Sequence, residues 1–181
     1  MVAHGDKGTA TLNYGYAEVD RDYVKSKTIT IRNHCKKAVT FTAAVTGAQG
    51  SPHVVTLNKS TVRVPGGGRT TLNARLAVPA STAGTSAEFA DVAGLVTLTP
   101  IAGDNAGVAL QVPYYLVPQA TSKVKTKLNT RDLVKHGADT AVITNKKGAV
   151  TGTADWYAWG LEDRPEPGNP FNDVKAVGVQ A

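Results

Sequence analysis

The sequence predicts an all-β protein, a β-sandwich followed by a partial second β-domain, and three observations carry that expectation. Composition is the first: Val and Thr supply roughly a quarter of the 181 residues, and both are β-branched and suit a pleated surface. Leu, Met and Glu, the usual helix formers, are scarce. Alternation is the second, because run after run places apolar and polar residues at the period of two that half-buried strands require. Punctuation is the third: 18 Gly and 9 Pro divide the chain into short segments at sandwich spacing.

The strands are expected in this order. Thr9–Tyr16 alternates as TATLNYGY and reads as the first. Lys27–Arg32 sets Ile29 and Ile31 on one face, Thr28 and Thr30 on the other. The polar run Asn33-His34-Cys35-Lys36-Lys37 has the length of a hairpin connection. Val39, Phe41, Ala43 and Val45 line one face of the next strand, with Thr40, Thr42 and Thr46 opposite. Val54–Leu57 and Thr61–Val64 are two short strands or one bent one, and Pro65-Gly66-Gly67-Gly68 breaks the chain as a hairpin turn.

Thr70–Val78 follows, with Leu72, Ala74, Leu76 and Val78 inward. After the loop Pro79–Gly84, Phe89–Thr99 and Val108–Val117 are the last long strands, joined across Pro100–Gly107. Leu110, Val112, Tyr114 and Leu116 share a face of the last one. One core is expected from Val39, Phe41, Val45, Leu72, Leu76, Val96, Leu98, Leu110, Val112 and Tyr114. No window shows helical periodicity.

Pro118–Ser122 reads as a boundary. The expected organisation is a disordered or appended N-terminus over 1–8, a sandwich over 9–118, a linker over 119–130 and an incomplete β-rich domain over 131–181. Within the last, Ala141–Thr144, Ala149–Leu161 and Val174–Val179 read as strands, with a turn at Lys146-Lys147-Gly148 and a polar loop over Glu162–Asn172. So few strands cannot cover both faces of a sheet or close its edges. The expectation is docking on the first domain or a strand-exchanged homodimer.

Composition also excludes. Cys35 is the one cysteine, so no internal disulfide framework exists. A 41% hydrophobic content excludes a disordered chain. No stretch approaches the roughly 18 apolar residues of a membrane span. The formal charge of +6 is spread along the chain and reads as solubility rather than as an anionic partner. Met1–Lys27 has neither the apolar core of a signal peptide nor a twin-arginine start. The chain is therefore expected to be cytosolic, or a segment excised from a longer secreted one.

A resemblance selects between these. The ordered cues are Asn13-Tyr14-Gly15-Tyr16, Thr28-Ile29-Thr30-Ile31-Arg32-Asn33, Val39-Thr40-Phe41-Thr42 and Val62-Arg63-Val64-Pro65-Gly66-Gly67. They continue with Gly94-Leu95-Val96-Thr97-Leu98-Thr99-Pro100 and Val112-Pro113-Tyr114-Tyr115-Leu116-Val117-Pro118. Over 9–118 this resembles the fibronectin type III-like domain behind the protease domain of large secreted subtilisin-like serine proteases of Gram-positive, GC-rich bacteria. The segments Ala154–Leu161 and Ala176–Gln180 are similar to the start of the next β-rich domain in such chains.

The resemblance implies a fibronectin type III/immunoglobulin-like β-sandwich, an extracellular or cell-surface location, and a protease domain upstream. It implies a non-catalytic accessory module that packs on the protease domain of the same parent and helps position protein substrates. The alternative is an extracellular adhesion or carbohydrate-binding module, with Trp156, Trp159 or Tyr115 stacking on the ligand.

Each chemical constellation has a simpler structural reading. Gly84-Thr85-Ser86-Ala87 contains the Gly-Thr-Ser of a subtilisin nucleophile, but a serine needs a histidine and an orienting acid. Neither family context is present, and the run is expected to open a strand. Pro65–Thr70 lacks the following helix of a phosphate loop. His4, His34, His53 and His136 fall in expected loops without metal spacing, and Cys35 beside His34 reads as a free turn cysteine.

Asp163, Glu166, Asn169, Asn172 and Asp173 lack the alternation of a calcium loop. In a strand, Trp156 and Ala158 face one way, Tyr157 and Trp159 the other, which puts at least one tryptophan in a core or interface. Lys123, Lys125 and Lys127 read as edge-strand lysines that block aggregation. Catalytic, cofactor-binding and metal residues are therefore expected to be none, with no cofactor, nucleic-acid partner or membrane span.

Overall fold

The computed structural model describes residues 2–5, 8–85, 87–127, 131, 135–136, 140–145, 148–152, 155–156 and 179–180. The chain divides into two compact units, Met1–Thr121 and Ser122–Ala181.

The first unit holds β1 (Val2–His4), β2 (Leu12–Val19), β3 (Tyr23–Arg32), β4 (Val39–Gly50), β5 (Val54–Leu57), β6 (Thr61–Val64), β7 (Arg69–Val78), β8 (Val92–Pro100) and β9 (Leu110–Ala120). They form a four-stranded sheet in the order β1-β3-β7-β5 and a five-stranded sheet in the order β2-β9-β8-β4-β6. β2 runs parallel to β9, and the other paired strands are antiparallel. With β2 and β6 set aside as added edges, the sheets have the A-B-E-D and G-F-C orders of an immunoglobulin-like sandwich. The protein is all-β in class, as expected.

Alternation builds the core. Ile29 and Ile31 of β3 and Leu72, Ala74, Leu76 and Val78 of β7 are buried in one sheet. Phe41, Val96, Leu98, Val112, Tyr114 and Leu116 are buried in the other, and all join one apolar cluster. Of the expected core, Val45 and Leu110 are half-buried at its margin and the rest are buried. Two prolines in β9 are tolerated by position. Pro113 lies beyond the β2 ladder and Pro118 beyond the β8 ladder, so each removes a donor on one side only.

Buried hydroxyls find different fates. The Tyr114 hydroxyl lies 2.7 Å from His53 Nε2, and His53 Nδ1 lies 2.7 Å from the Ser51 carbonyl. A carbonyl only accepts, so Nδ1 carries the proton and Nε2 accepts from Tyr114. Gly94 makes room, because a Cβ there would meet the Tyr114 hydroxyl at 2.2 Å. Tyr14 donates to the Ala74 carbonyl at 3.1 Å.

Among the described residues the Tyr23 hydroxyl is buried without a partner, and burial raises its pKa. Since a buried unsatisfied group costs about 1–3 kcal/mol, Tyr23→Phe is expected to leave the urea midpoint unchanged or raise it. A clearly lowered midpoint would show that the hydroxyl is bonded.

Several expectations are corrected. Asn33–Lys37 is not a hairpin, because β3 and β4 lie in different sheets. Pro65–Gly68 is a tight turn, with Gly68 N–H donating to Pro65 O at 3.1 Å, but it too crosses between sheets. β5 and β6 are two short strands with the bounds expected, not one bent one, but they lie one in each sheet. In each case alternation specifies which face is buried, not which strand is the partner.

Boundaries shift as well. β8 begins at Val92, not Phe89, and Phe89 is exposed. Within residues 1–8, expected as a disordered or appended N-terminus, Val2–His4 pairs with β3 from Arg32 to Thr30.

In the second unit, β10 (Val124–Lys127) pairs antiparallel with β11 (Val142–Asn145), and β12 (Asp155–Trp156) with β13 (Val179–Gln180). Residues 119–130, expected as a linker, thus include the end of β9 and all of β10. Arg131, Lys135 and His136 are helical, although no helical period marks them. The expected strand Ala149–Leu161 is strand at Asp155–Trp156 and irregular over 149–152. Its other residues, and Val174–Gly178, lie outside the described residues.

Candidate functional site

Inward alternation on one face of the five-stranded sheet turns a second set of side chains outward. On β9 these are Pro113, Tyr115, Val117 and Gln119. The register places Leu95 opposite Pro113 and Ala93 opposite Tyr115 on β8, with Tyr16 opposite Val117 and Glu18 opposite Gln119 on β2. Tyr16 and Tyr115 are therefore diagonal neighbours on one sheet face. They are 53% and 41% exposed, and Leu95, Pro113 and Val117 fill the surface between and beside them half-buried.

A β-bulge makes this patch. The register of β2 slips between Asn13 and Gly15, where Gly15 takes φ +79° and its N–H donates to Asn13 Oδ1 at 2.8 Å. Uninterrupted alternation would turn Tyr16 inward with Leu12 and Tyr14; the extra residue re-aims it outward.

The phenols have polar neighbours. The Tyr16 hydroxyl bonds the Gln119 side-chain oxygen and lies 3.4 Å from Glu18; the Asp91 carboxylate neighbours Tyr115. Desolvation first, and the neighbouring carboxylate second, raise both pKa values above the ordinary phenol range. Both stay neutral at physiological pH, as an ordinary phenol does.

A cleft of about 540 Å³ opens at the end of the sandwich, between residues 33–38 and 101–109. Cys35, Lys37, Val39, Asp104, Val108 and Leu110 are among its lining residues. Asp104 is committed, since its carboxylate accepts from Thr40 N–H at 2.7 Å. Asn105 and Ala106 are left-handed at φ 44° and 51°. Asn105 Nδ2 braces that turn by donating to Val108 O at 2.6 Å.

The other candidates disperse. Ser86 lies outside the described residues. Gly84 is clamped to the end of β9: its N–H donates to Pro118 O at 3.1 Å, and its carbonyl accepts from Ala120 N–H at 2.6 Å. Gly84 and Thr85 therefore lie outside the strand expected there, which opens at Val92.

His34 is on an exposed crossing, His53 sits beneath Tyr114, and His4 is on β1. No three His, Cys, Asp or Glu residues are grouped for a metal among the described residues. Trp156 pairs with Val179 in β12, and Lys123, Lys125 and Lys127 are exposed at β10. Tyr157, Trp159, Asp163, Glu166, Asn169, Asn172 and Asp173 lie outside the described residues.

No family model and no curated protein matches the chain. Solved structures resemble it in fold. The ASH/PapD-like domain 7 of human CEP192 is 8% identical over 60% of this chain and 81% of that chain, with TM-score 0.44. SSP-19, an MSP-domain protein like family member of Caenorhabditis elegans, is 8% identical over 62% and 97%, at 0.35. The Escherichia coli chaperone DraB is 14% identical over 71% and 68%, at 0.36. All three TM-scores are below 0.5, so the immunoglobulin-like assignment rests on the sheet order and register of this chain.

Proposed function

We propose that the chain is a non-catalytic accessory module of a secreted subtilisin-like serine endopeptidase. It works outside the cell or at its surface, docks on the protease domain of the same parent and helps position protein substrates. The order of sequence cues over 9–118 supports the family. The outer patch of the five-stranded sheet supports the docking role: Tyr16 and Tyr115 stand outward there, and Tyr16 is held by a bond to the Gln119 side chain, so covering it costs little rotamer entropy. Mixed with Leu95, Pro113 and Val117, they make an apolar contact surface rather than an isolated aromatic row.

An antibody to residues 1–121 tests this on the native protein. It is expected to capture from culture medium a species much larger than 18.9 kDa that a serine-directed phosphonate labels. Tyr16→Asp combined with Tyr115→Asp in that protein is expected to lower the melting temperature of the protease activity. Absence of phosphonate labelling rejects the protease assignment. Labelling with an unchanged melting temperature rejects the docking face. Neutral-glycan binding that Tyr115→Ala abolishes, without labelling, supports the adhesion or carbohydrate-binding alternative.

A further inference from the structure

The opposite outer face, on the four-stranded sheet, has a different chemistry. β3 and β7 pair along their full lengths, and their outward residues meet as Arg32 opposite Arg69, Thr30 opposite Thr71, Thr28 opposite Asn73 and Ser26 opposite Arg75. β5 adds Thr56 beside Arg75. Like charges directly opposite weaken a strand pair, so the Arg32–Arg69 pair opposes folding rather than serving it. Arg32, Arg69 and Arg75 are exposed and make no ion pair among the described residues. The strands β1, β3, β5 and β7 contain no Asp or Glu.

The fold also sorts charge along the sandwich. The crossing at 33–38 is bonded to the turn at 65–68, through Gly67 N–H to Cys35 O at 2.8 Å and Asn33 N–H to Gly68 O at 2.9 Å. This brings Lys36 and Lys37 to the end that carries Arg32, Arg63 and Arg69. Glu18, Asp20, Asp22, Glu88 and Asp91 lie at the opposite ends of their strands or in the loops there, with Arg21 among them; Asp104 is at the basic end, its carboxylate accepting from Thr40 N–H. An anionic partner is thus drawn to the basic end.

The spacing and neighbours name that partner. Arg69 and Arg75 are six residues apart on one strand, about 20 Å, the span of an extended oligomer rather than of one small anion. Between them lie neutral groups, with the Thr28 hydroxyl donating to Asn73 Oδ1 at 3.0 Å. None of the outward residues of β3, β5 and β7 is aromatic, so these strands offer no platform for stacking nucleic-acid bases. Guanidinium forks matched to carboxylate or sulfate, separated by hydroxyl and amide groups, suit a polyhydroxylated polyanion.

We infer that this face binds an extended acidic polysaccharide, with its anionic groups on Arg32, Arg69 and Arg75 and its hydroxyls over the threonine and asparagine rows. The inference does not rest on the protease reading.

Affinity electrophoresis of the whole chain at low and physiological salt tests it, with polygalacturonate, heparin, neutral dextran and single-stranded oligothymidylate as probes. Polygalacturonate, heparin or both are expected to retard the protein at low salt, more weakly at high salt. Dextran is expected not to retard it, and oligothymidylate to bind at least tenfold more weakly. Arg32→Gln with Arg69→Gln is expected to weaken binding at least tenfold while holding or raising the melting temperature. Lys125→Gln is expected to bind like the native chain. Retardation by neither acidic polysaccharide, equal affinity for oligothymidylate, loss through Lys125→Gln, or unchanged binding by the double variant each overturns the inference. If the double variant fails to fold, Arg75→Gln, expected to weaken binding severalfold, decides alone.

Discussion

Phe41→Ala is expected to lower the unfolding free energy by about 3–5 kcal/mol, a large share of the roughly 5–15 kcal/mol that holds a typical domain together. Phe41 is 0% exposed and among the largest fully buried side chains. It sits where β4 pairs with both neighbours, opposite Val62 on β6 and Pro100 on β8. The vacated volume would be surrounded by other members of one contiguous core, whose strands are held by ladders and collapse only in part. Guanidinium titration measures the loss. Thr42→Ala, one residue along and exposed on the other face, is expected within about 0.5 kcal/mol of the parent. If the two variants exchanged their effects, the buried face of β4 would be the threonine face.

That prediction uses only what alternation carries. The faces of β4, β7 and β9 are legible because every second residue is apolar and period two leaves little choice. Partners are not legible in the same pattern. β3 and β4 each bury an apolar face, and a short polar connection fits a hairpin within one sheet or a crossing between two. The crossing is set by competition among strands: β7 pairs with β3 while β8 and β6 flank β4.

The two candidate surfaces lie beyond alternation for related reasons. Tyr115 is visible as an outward aromatic, but Tyr16 is not. TATLNYGY reads as unbroken alternation until Gly15 introduces the bulge; the Asn-x-Gly spacing was the available signal. The basic face is a product of register. Arg32 and Arg69 lie far apart in sequence and are brought opposite one another by the pairing of β3 with β7.

Gly66→Ala is expected to cost about 3 kcal/mol, the upper part of the range for forcing atoms into a filled space. A Cβ at Gly66 would lie 1.8 Å from the Lys36 carbonyl oxygen and 2.4 Å from its carbon, and both are backbone. The two crossings cannot simply part. Besides their mutual backbone bonds, Asn33 is 1% exposed; its Nδ2 donates to Lys37 O at 2.8 Å, and its Oδ1 accepts from Cys35 N–H at 3.0 Å. Moving Lys36 away from a new methyl group would strain that set and leave buried groups unpaired. Gly67 supplies the internal comparison. It has φ +65° but open space around its Cβ position, so Gly67→Ala is expected to cost only the left-handed penalty, about 1–2 kcal/mol. Urea unfolding of both variants, with hydrogen exchange at the Gly67 amide, separates the mechanisms. Gly66→Ala should also speed that exchange, because its acceptor, Cys35 O, lies on the displaced crossing. If Gly66→Ala proves no more costly than Gly67→Ala, the crossings do not pack as closely as described, and the turn is then held by its own Pro65–Gly68 bond alone.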